Sequence, residues 1–161
     1  MKKIDEQYAM YMASEKKIGE LHHRIAVKMG VSDSVMWIMY CLCEPGADHT
    51  QNSIAGRIGV PKQTINSAIN RLLKDGYISL EQLPVSGNNK RIALTEKGKS
   101  FCKEQIAPFA EAEDRAFSKL SEEEQEQYLA LGIKHNRYQI EEFTKLLDRG
   151  KYGGEEAGGR Q

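Results

Sequence analysis

The sequence predicts a mainly α-helical fold with one small β-hairpin, and three observations predict it. Residues 50–76 read as two short helices around a tight turn. Residues 78–94 alternate apolar and polar side chains on either side of a turn-forming stretch. Longer amphipathic patterns flank both, over residues 4–29 and from residue 121 onward. Two short helices joined so closely cannot stack antiparallel. They must cross steeply, the geometry that lets the second enter a DNA major groove.

Each element has a local cause. Ile4, Tyr8, Tyr11 and Met12 share a helical face, which Ile18, Leu21, Ile25 and Met29 continue. Gly30 ends that helix, and Ser32 or Asp33 can cap the next. Residues 34–43 are apolar nearly all round, as in a buried central helix, and Pro45-Gly46 should stop it. Thr50 is a good N-cap, Gly59 fits a left-handed C-terminal position, and Pro61 suits the first turn of the second short helix. Ile65, Ala68, Ile69, Leu72 and Leu73 then form a stripe that Gly76 closes.

Ile78, Leu80 and Leu83 on one side, and Ile92 and Leu94 on the other, predict two half-buried strands. Turn formers fill Pro84 to Asn89 between them. Thr95 caps a helix expected to run to about residue 118, kinked or broken near residue 104 by Pro108. Ser121-Glu122-Glu123-Glu124 reads as a capping box, and Tyr128, Leu129, Ile133, Ile140, Phe143 and Leu147 form a stripe on the last helix. The division expected is residues 1–31, 32–103, 104–149 and a glycine-rich flexible tail over 150–161.

Composition narrows the function classes. The chain has 161 residues, 40% apolar and 29% charged, as a folded globular protein should. No apolar run approaches the ~20 residues of a membrane span. Met1-Lys2-Lys3-Ile4-Asp5-Glu6 has no apolar stretch behind its lysines, so no secretory signal is expected and the cytoplasm is the expected compartment. Cys41, Cys43 and Cys102 are odd in number, which predicts reduced thiols rather than a disulfide framework. The formal net charge is zero, but it is unevenly spread: −1 over residues 1–56, +6 over 57–103 and −5 over 104–161. A local basic patch concentrates phosphate whatever the total charge.

The positive segment carries the strongest functional signal. The outward face of residues 61–75 holds Lys62, Gln63, Thr64, Asn66, Ser67, Asn70, Arg71 and Lys74, with no acid before Asp75. Amides and guanidinium groups read base edges because they offer paired donors and acceptors in a fixed plane. Gln63, Thr64, Asn66 and Ser67, on the first turns, are the base-contact candidates, with Asn70 and Arg71 over bases or the flanking backbone. The hairpin tip Ser86-Gly87-Asn88-Asn89-Lys90-Arg91 is the second candidate, with Lys90 and Arg91 on phosphate or in the minor groove. A solvated helix face normally carries Glu and Lys instead.

The run Thr50–Gly98 resembles the MarR family of winged helix-turn-helix transcription regulators. The residues that carry the resemblance are Pro61-Lys62-Gln63-Thr64-Ile65-Asn66-Ser67-Ala68-Ile69, Leu73-Lys74-Asp75-Gly76-Tyr77-Ile78, and Leu94-Thr95-Glu96-Lys97-Gly98 after the wing. Ala107-Pro108-Phe109 and the acidic stretch at Glu111-Ala112-Glu113 extend it. The resemblance implies a homodimer in which N- and C-terminal helices interleave and two winged lobes bind a pseudo-palindromic operator on double-stranded DNA. It implies a transcriptional regulator, expected here to be a repressor released by a small-molecule or other signal. It also implies an effector pocket between dimer region and DNA lobe, for which Tyr11, His22, Trp37 and Tyr40 are the candidates. The family wing often carries Asp-x-Arg where this chain has Ser86 and Asn88, so Lys90 or Arg91 would take the minor-groove role.

Other chemistry is poorly supported. The chain has no Ser-His-Asp order, no phosphate loop and no paired carboxylates beside a base, so no enzyme and no cofactor is expected. Cys41 and Cys43 point about 200° apart on a helix and cannot chelate one ion. His22-His23, His49 and His135 assemble no ligand set, so no metal is expected either. Two alternatives remain: a winged-helix scaffold for protein contacts without sequence-specific DNA binding, and a thiol-based redox regulator using Cys102 beside Lys99 and Lys103.

Overall fold

The computed structural model describes residues 6–44, 49–82 and 90–148. Its elements are α1 (Glu6–Lys28), α2 (Asp33–Cys43), α3 (Gln51–Ile58), α4 (Lys62–Lys74), β1 (Ile78–Gln82), β2 (Lys90–Leu94), α5 (Glu96–Phe101), a π-helical turn (Cys102–Ile106), α6 (Ala107–Phe117) and α7 (Glu122–Asp148). The chain is mainly helical, with a single antiparallel hairpin among the described residues. Pro45-Gly46, Leu83, the hairpin tip with Ser86 and Asn88, and the glycine-rich tail lie outside the described residues. Contacts divide the chain into two compact units between residues 112 and 113.

The first unit is built around α2. Val35, Met36, Ile38, Met39, Cys41 and Leu42 are all buried on this one helix. It packs against α1, α3, α4, β2 and the π-helical turn. Ala26, Ile54, Ile65, Ile69, Leu72, Ile78, Ile92, Ile106 and Phe109 complete the core. The turn into α2 is fixed by Gly30 in the left-handed region (φ 76°). Ser32 caps α2 by accepting from the Val35 amide. Asp33 instead opens the helix, and its carboxylate lies 2.9 Å from His23 Nδ1 on α1.

The helix-turn-helix follows from local chemistry. Thr50 and Ser53 form a reciprocal capping box at the start of α3. Gly59 takes the left-handed conformation (φ 69°) that ends it. Pro61 stands one position earlier than expected, as the N-cap of α4 and not in its first turn, with no side-chain cap bond. Its ring fixes φ at −54° with an extended ψ, which turns the chain sharply into α4.

The hairpin pairs Ile78 with Leu94, Leu80 with Ile92, Glu81 with Arg91 and Gln82 with Lys90. Only Ile78 on β1 and Ile92 on β2 are buried; Leu80 remains 39% exposed, against the expectation of a half-buried strand. β1 leaves the core after its first residue, so alternation there outlasts the surface it could cover. The hairpin is anchored by the Ile92 amide donating to the His49 carbonyl at 2.7 Å.

Thr95 caps α5 as expected, accepting from the Gly98 amide, and its hydroxyl also donates to the Gly76 carbonyl at 2.7 Å. The break ahead of Pro108 takes the form of the π-helical turn, in which the Ala107 amide donates to the Cys102 carbonyl. A wider turn disposes of the helical bond that proline cannot make. Gly98 packs directly on the Tyr77 carbonyl, so a Cβ there would overlap that backbone oxygen. Gly98→Ala should therefore cost about 1–3 kcal/mol of stability; a urea midpoint within error of the parent chain would contradict this.

The cysteines overturn the expectation of reduced thiols. Cys43 at the end of α2 and Cys102 at the start of the π-helical turn form a disulfide, with Cα atoms 5.9 Å apart. Cys102 is therefore not an exposed thiol between Lys99 and Lys103. The two residues are 59 positions apart, and only the packing of α2 on the π-helical turn brings them together. Cys41 stays free and buried.

In the second unit, Ser121 and Glu124 form the expected capping box: the Ser121 amide donates to Glu124 Oε2 at 2.8 Å and the Glu124 amide to Ser121 Oγ at 3.2 Å. Phe117 and Tyr128 meet edge-on, with ring centroids 6.2 Å apart. No residue of α7 is buried.

Candidate nucleic-acid interface

The two faces of α4 are sharply different. Ile65, Ala68, Ile69 and Leu72 are buried beneath it. Lys62, Gln63, Thr64, Asn66, Ser67, Asn70, Arg71 and Lys74 are all exposed on the other side. The apolar stripe seats the helix and leaves its amides and cations outward, which is the division that base reading requires.

Two of these side chains have neighbours within reach. Gln51 Nε2 on α3 lies 3.5 Å from Asn66 Oδ1, so Asn66 accepts through its oxygen and its amide nitrogen is not used in that contact. Arg71 Nε lies 3.6 Å from Asp75 Oδ2 one turn on, a solvent-screened pair that a phosphate or base could displace. No acidic side chain stands in the first turn of α4. Its amino-terminal dipole therefore favours an approaching anion unopposed by a local carboxylate.

A groove of about 360 Å³ runs between α4 and the hairpin. Thr50, Gln51 and Asn52 of the α3 start, Asn66 and Asn70 of α4, and Lys90 of β2 supply its polar lining, with Ile69, Leu73, Leu80 and Ile92 as its floor. The fold thus brings Asn66, Asn70 and Lys90 to one concave surface. Arg91 is exposed on β2, opposite Glu81 in the ladder. Sequence reasoning missed Gln51 and Asn52. Their signal was present as adjacent amides after an N-cap, but only the crossing of α3 and α4 places them beside Asn66.

The aromatic candidates separate. His22 meets Trp37 and Phe109 edge-on, with centroids 5.2 and 5.5 Å apart, and Trp37, Tyr40 and Phe109 contact one another similarly. Tyr11 lies half-exposed on α1 with its ring near Tyr8. Phe109 was not anticipated; it joins because the π-helical turn and α6 return to the core. Beside this cluster is a cavity of about 340 Å³ lined by Trp37, Tyr40, Cys41, Arg57 and Ile58. Arg57 at its rim is bonded to Glu44 at 2.8 Å, and that hydrogen bond raises the guanidinium pKa further. Burial pushes the Cys41 thiol up, which keeps it protonated. Among the described residues no three His, Cys, Asp or Glu side chains converge as a metal site. No single described helix is long and apolar enough to cross a membrane.

Comparison with known proteins agrees with this geometry. A family described as winged helix-turn-helix DNA-binding matches residues 38–79. No curated protein sequence matches the chain. A MarR family regulator from Neisseria meningitidis superposes with a TM-score of 0.68 at 19% identity, over 90% of this chain and 99% of that one. S. aureus MepR in its DNA-binding conformation gives 0.70 at 22% identity, over 84% and 99%. The MepR–DNA complex gives 0.65 at 22% identity, again over 84% and 99%. The chain has the winged-helix fold of the MarR-family transcriptional regulators, and residues 38–79 within it match the winged helix-turn-helix DNA-binding family.

Proposed function

We propose that the chain is a homodimeric, sequence-specific regulator of transcription that acts in the cytoplasm, as a repressor released by a signal. The observation that carries this reading is the exposed amide-and-cation face of α4, set beside a groove that Lys90 of the hairpin completes. Gln63, Thr64, Asn66 and Ser67 read base edges, Asn70 and Arg71 act farther along, and Lys62, Lys74, Lys90 and Arg91 hold phosphates. MepR, solved in complex with DNA on this fold, supports DNA as the partner. A scaffold for protein contacts would present an apolar face here, whereas α4 presents polar side chains throughout. No catalytic role is proposed.

Dimerisation is proposed from burial. Ile133, Ile140 and Phe143 on α7 are 70%, 66% and 58% exposed, and Tyr8, Tyr11 and Met12 on α1 are also exposed. Apolar stripes of this kind are covered by a partner in stable proteins, and a second copy supplies a matching one. The effector is proposed at the aromatic cluster of His22, Trp37 and Tyr40.

Fluorescence anisotropy on a bound duplex tests the reading. Asn66→Ala and Arg71→Ala should each cost about 1–3 kcal/mol, roughly 5- to 150-fold in Kd, while leaving helix content unchanged. Unchanged affinity in both variants would overturn the base-contact assignment.

A further inference from the structure

The Cys43–Cys102 disulfide closes a loop that contains α3, α4, both strands and α5, which is the whole candidate DNA-reading lobe. It joins the point where the chain leaves α2 to the point where it returns at the π-helical turn. A bond there restrains both feet of the lobe at once. Its setting also differs from that of a static core staple. Cys43 is half-buried and Cys102 is buried. The π-helical turn begins at Cys102, and such turns often mark functional positions. The third sulfur, Cys41, is buried and not bonded. A DNA-binding regulator works where thiols are kept reduced, and disulfides in such a compartment are usually transient or redox-sensing.

We infer that Cys43 and Cys102 are a reversible dithiol–disulfide clamp, oxidised by a hydroperoxide, that stiffens the lobe bearing α3, α4 and the hairpin. The compartment argument rests on the DNA-binding reading; the geometry of the clamp does not. The chemistry balances with one peroxide. The Cys43 thiolate attacks the terminal peroxide oxygen, forming a sulfur–oxygen bond and breaking the oxygen–oxygen bond, and hydroxide (alkoxide from an organic hydroperoxide) leaves and takes up the proton that Cys43 gave up, as water (or alcohol). Cys102 then attacks the Cys43 sulfur, the sulfur–sulfur bond forms, and the sulfenic oxygen departs as a second water carrying the remaining proton. Two electrons pass from the thiols to the peroxide. A small uncharged oxidant suits a half-buried target, and a dithiol reductant reverses the step.

The test uses the full chain, reduced and then treated with stoichiometric hydrogen peroxide. Two titratable thiols should disappear within one chain and return with dithiothreitol, and Cys41→Ser should not alter this. Amide exchange across α3, α4 and β1 should slow by about 100-fold on oxidation, as expected for closing a loop of this length, with α7 unchanged. Cys102→Ser should leave a Cys43 sulfenic acid that dimedone traps, without slowing exchange; Cys43→Ser provides a second variant should that one fold poorly. Retained thiols, thiols lost by linking two chains, or oxidation without a change in exchange would each overturn the inference. Neither readout involves DNA, so failure of the DNA-binding reading would leave both intact, and failure here would leave the Asn66 and Arg71 result intact.

Discussion

Raising salt from about 50 to about 200 mM should lower duplex affinity by ~10³-fold or more. The expectation comes from counting cations. Lys62 and Lys74 on α4 and Lys90 and Arg91 on β2 are exposed, and the segment from 57 to 103 carries +6 although the chain is neutral. Two copies would place about eight such groups on phosphates, each releasing condensed counterions. Lys62→Ala should flatten the salt slope by about 2 in a dimer without changing which sequence is preferred, since phosphate contacts position rather than specify. Anisotropy titrations on one duplex at several salt concentrations provide the slope. A slope near zero would place the basic surface away from DNA.

Ile133→Glu combined with Ile140→Glu should give a single-copy protein whose operator affinity falls by about 10²–10⁴-fold. The two positions are seven residues apart and so share a face of α7. Both are largely exposed, and no residue of α7 is buried, so the substitutions disturb no core within the described unit. Charge on that stripe repels a facing copy, and each lobe would then bind a half-site alone. Light scattering measures the mass, and the same anisotropy assay measures the affinity. A parent chain that is already a single copy, or a variant that keeps its mass, would contradict the dimer.

Much of the lobe was legible because its causes are local. Thr50, Thr95 and Ser121 cap helices through bonds to residues three positions away, and Gly30 and Gly59 end helices where a positive φ is required. The stripe under α4 and the apolar circumference of α2 likewise follow from helical spacing, which is why the exposed residues of α4 were legible. What remained hidden depends on distant packing. The Cys43–Cys102 bond needs α2 to meet the π-helical turn across 59 residues. Gln51 and Asn52 join the groove only because α3 crosses α4, and Phe109 joins the aromatic cluster only because the chain returns there. Leu80 misled because strand alternation says which face is apolar and not how far the core extends. Proline marked the break after α5 without showing that a π-helical turn would make it.

The most direct measurement is selection of duplexes from a random pool by the full chain and by Asn66→Ala/Arg71→Ala side by side. The parent should enrich a two-fold symmetric site with half-sites about 10 bp apart, centre to centre, and the double variant should lose that preference while retaining weak, salt-sensitive binding. Enrichment of the same site by both would remove α4 from base reading, and no enrichment by the parent even in dilute buffer would contradict DNA recognition altogether.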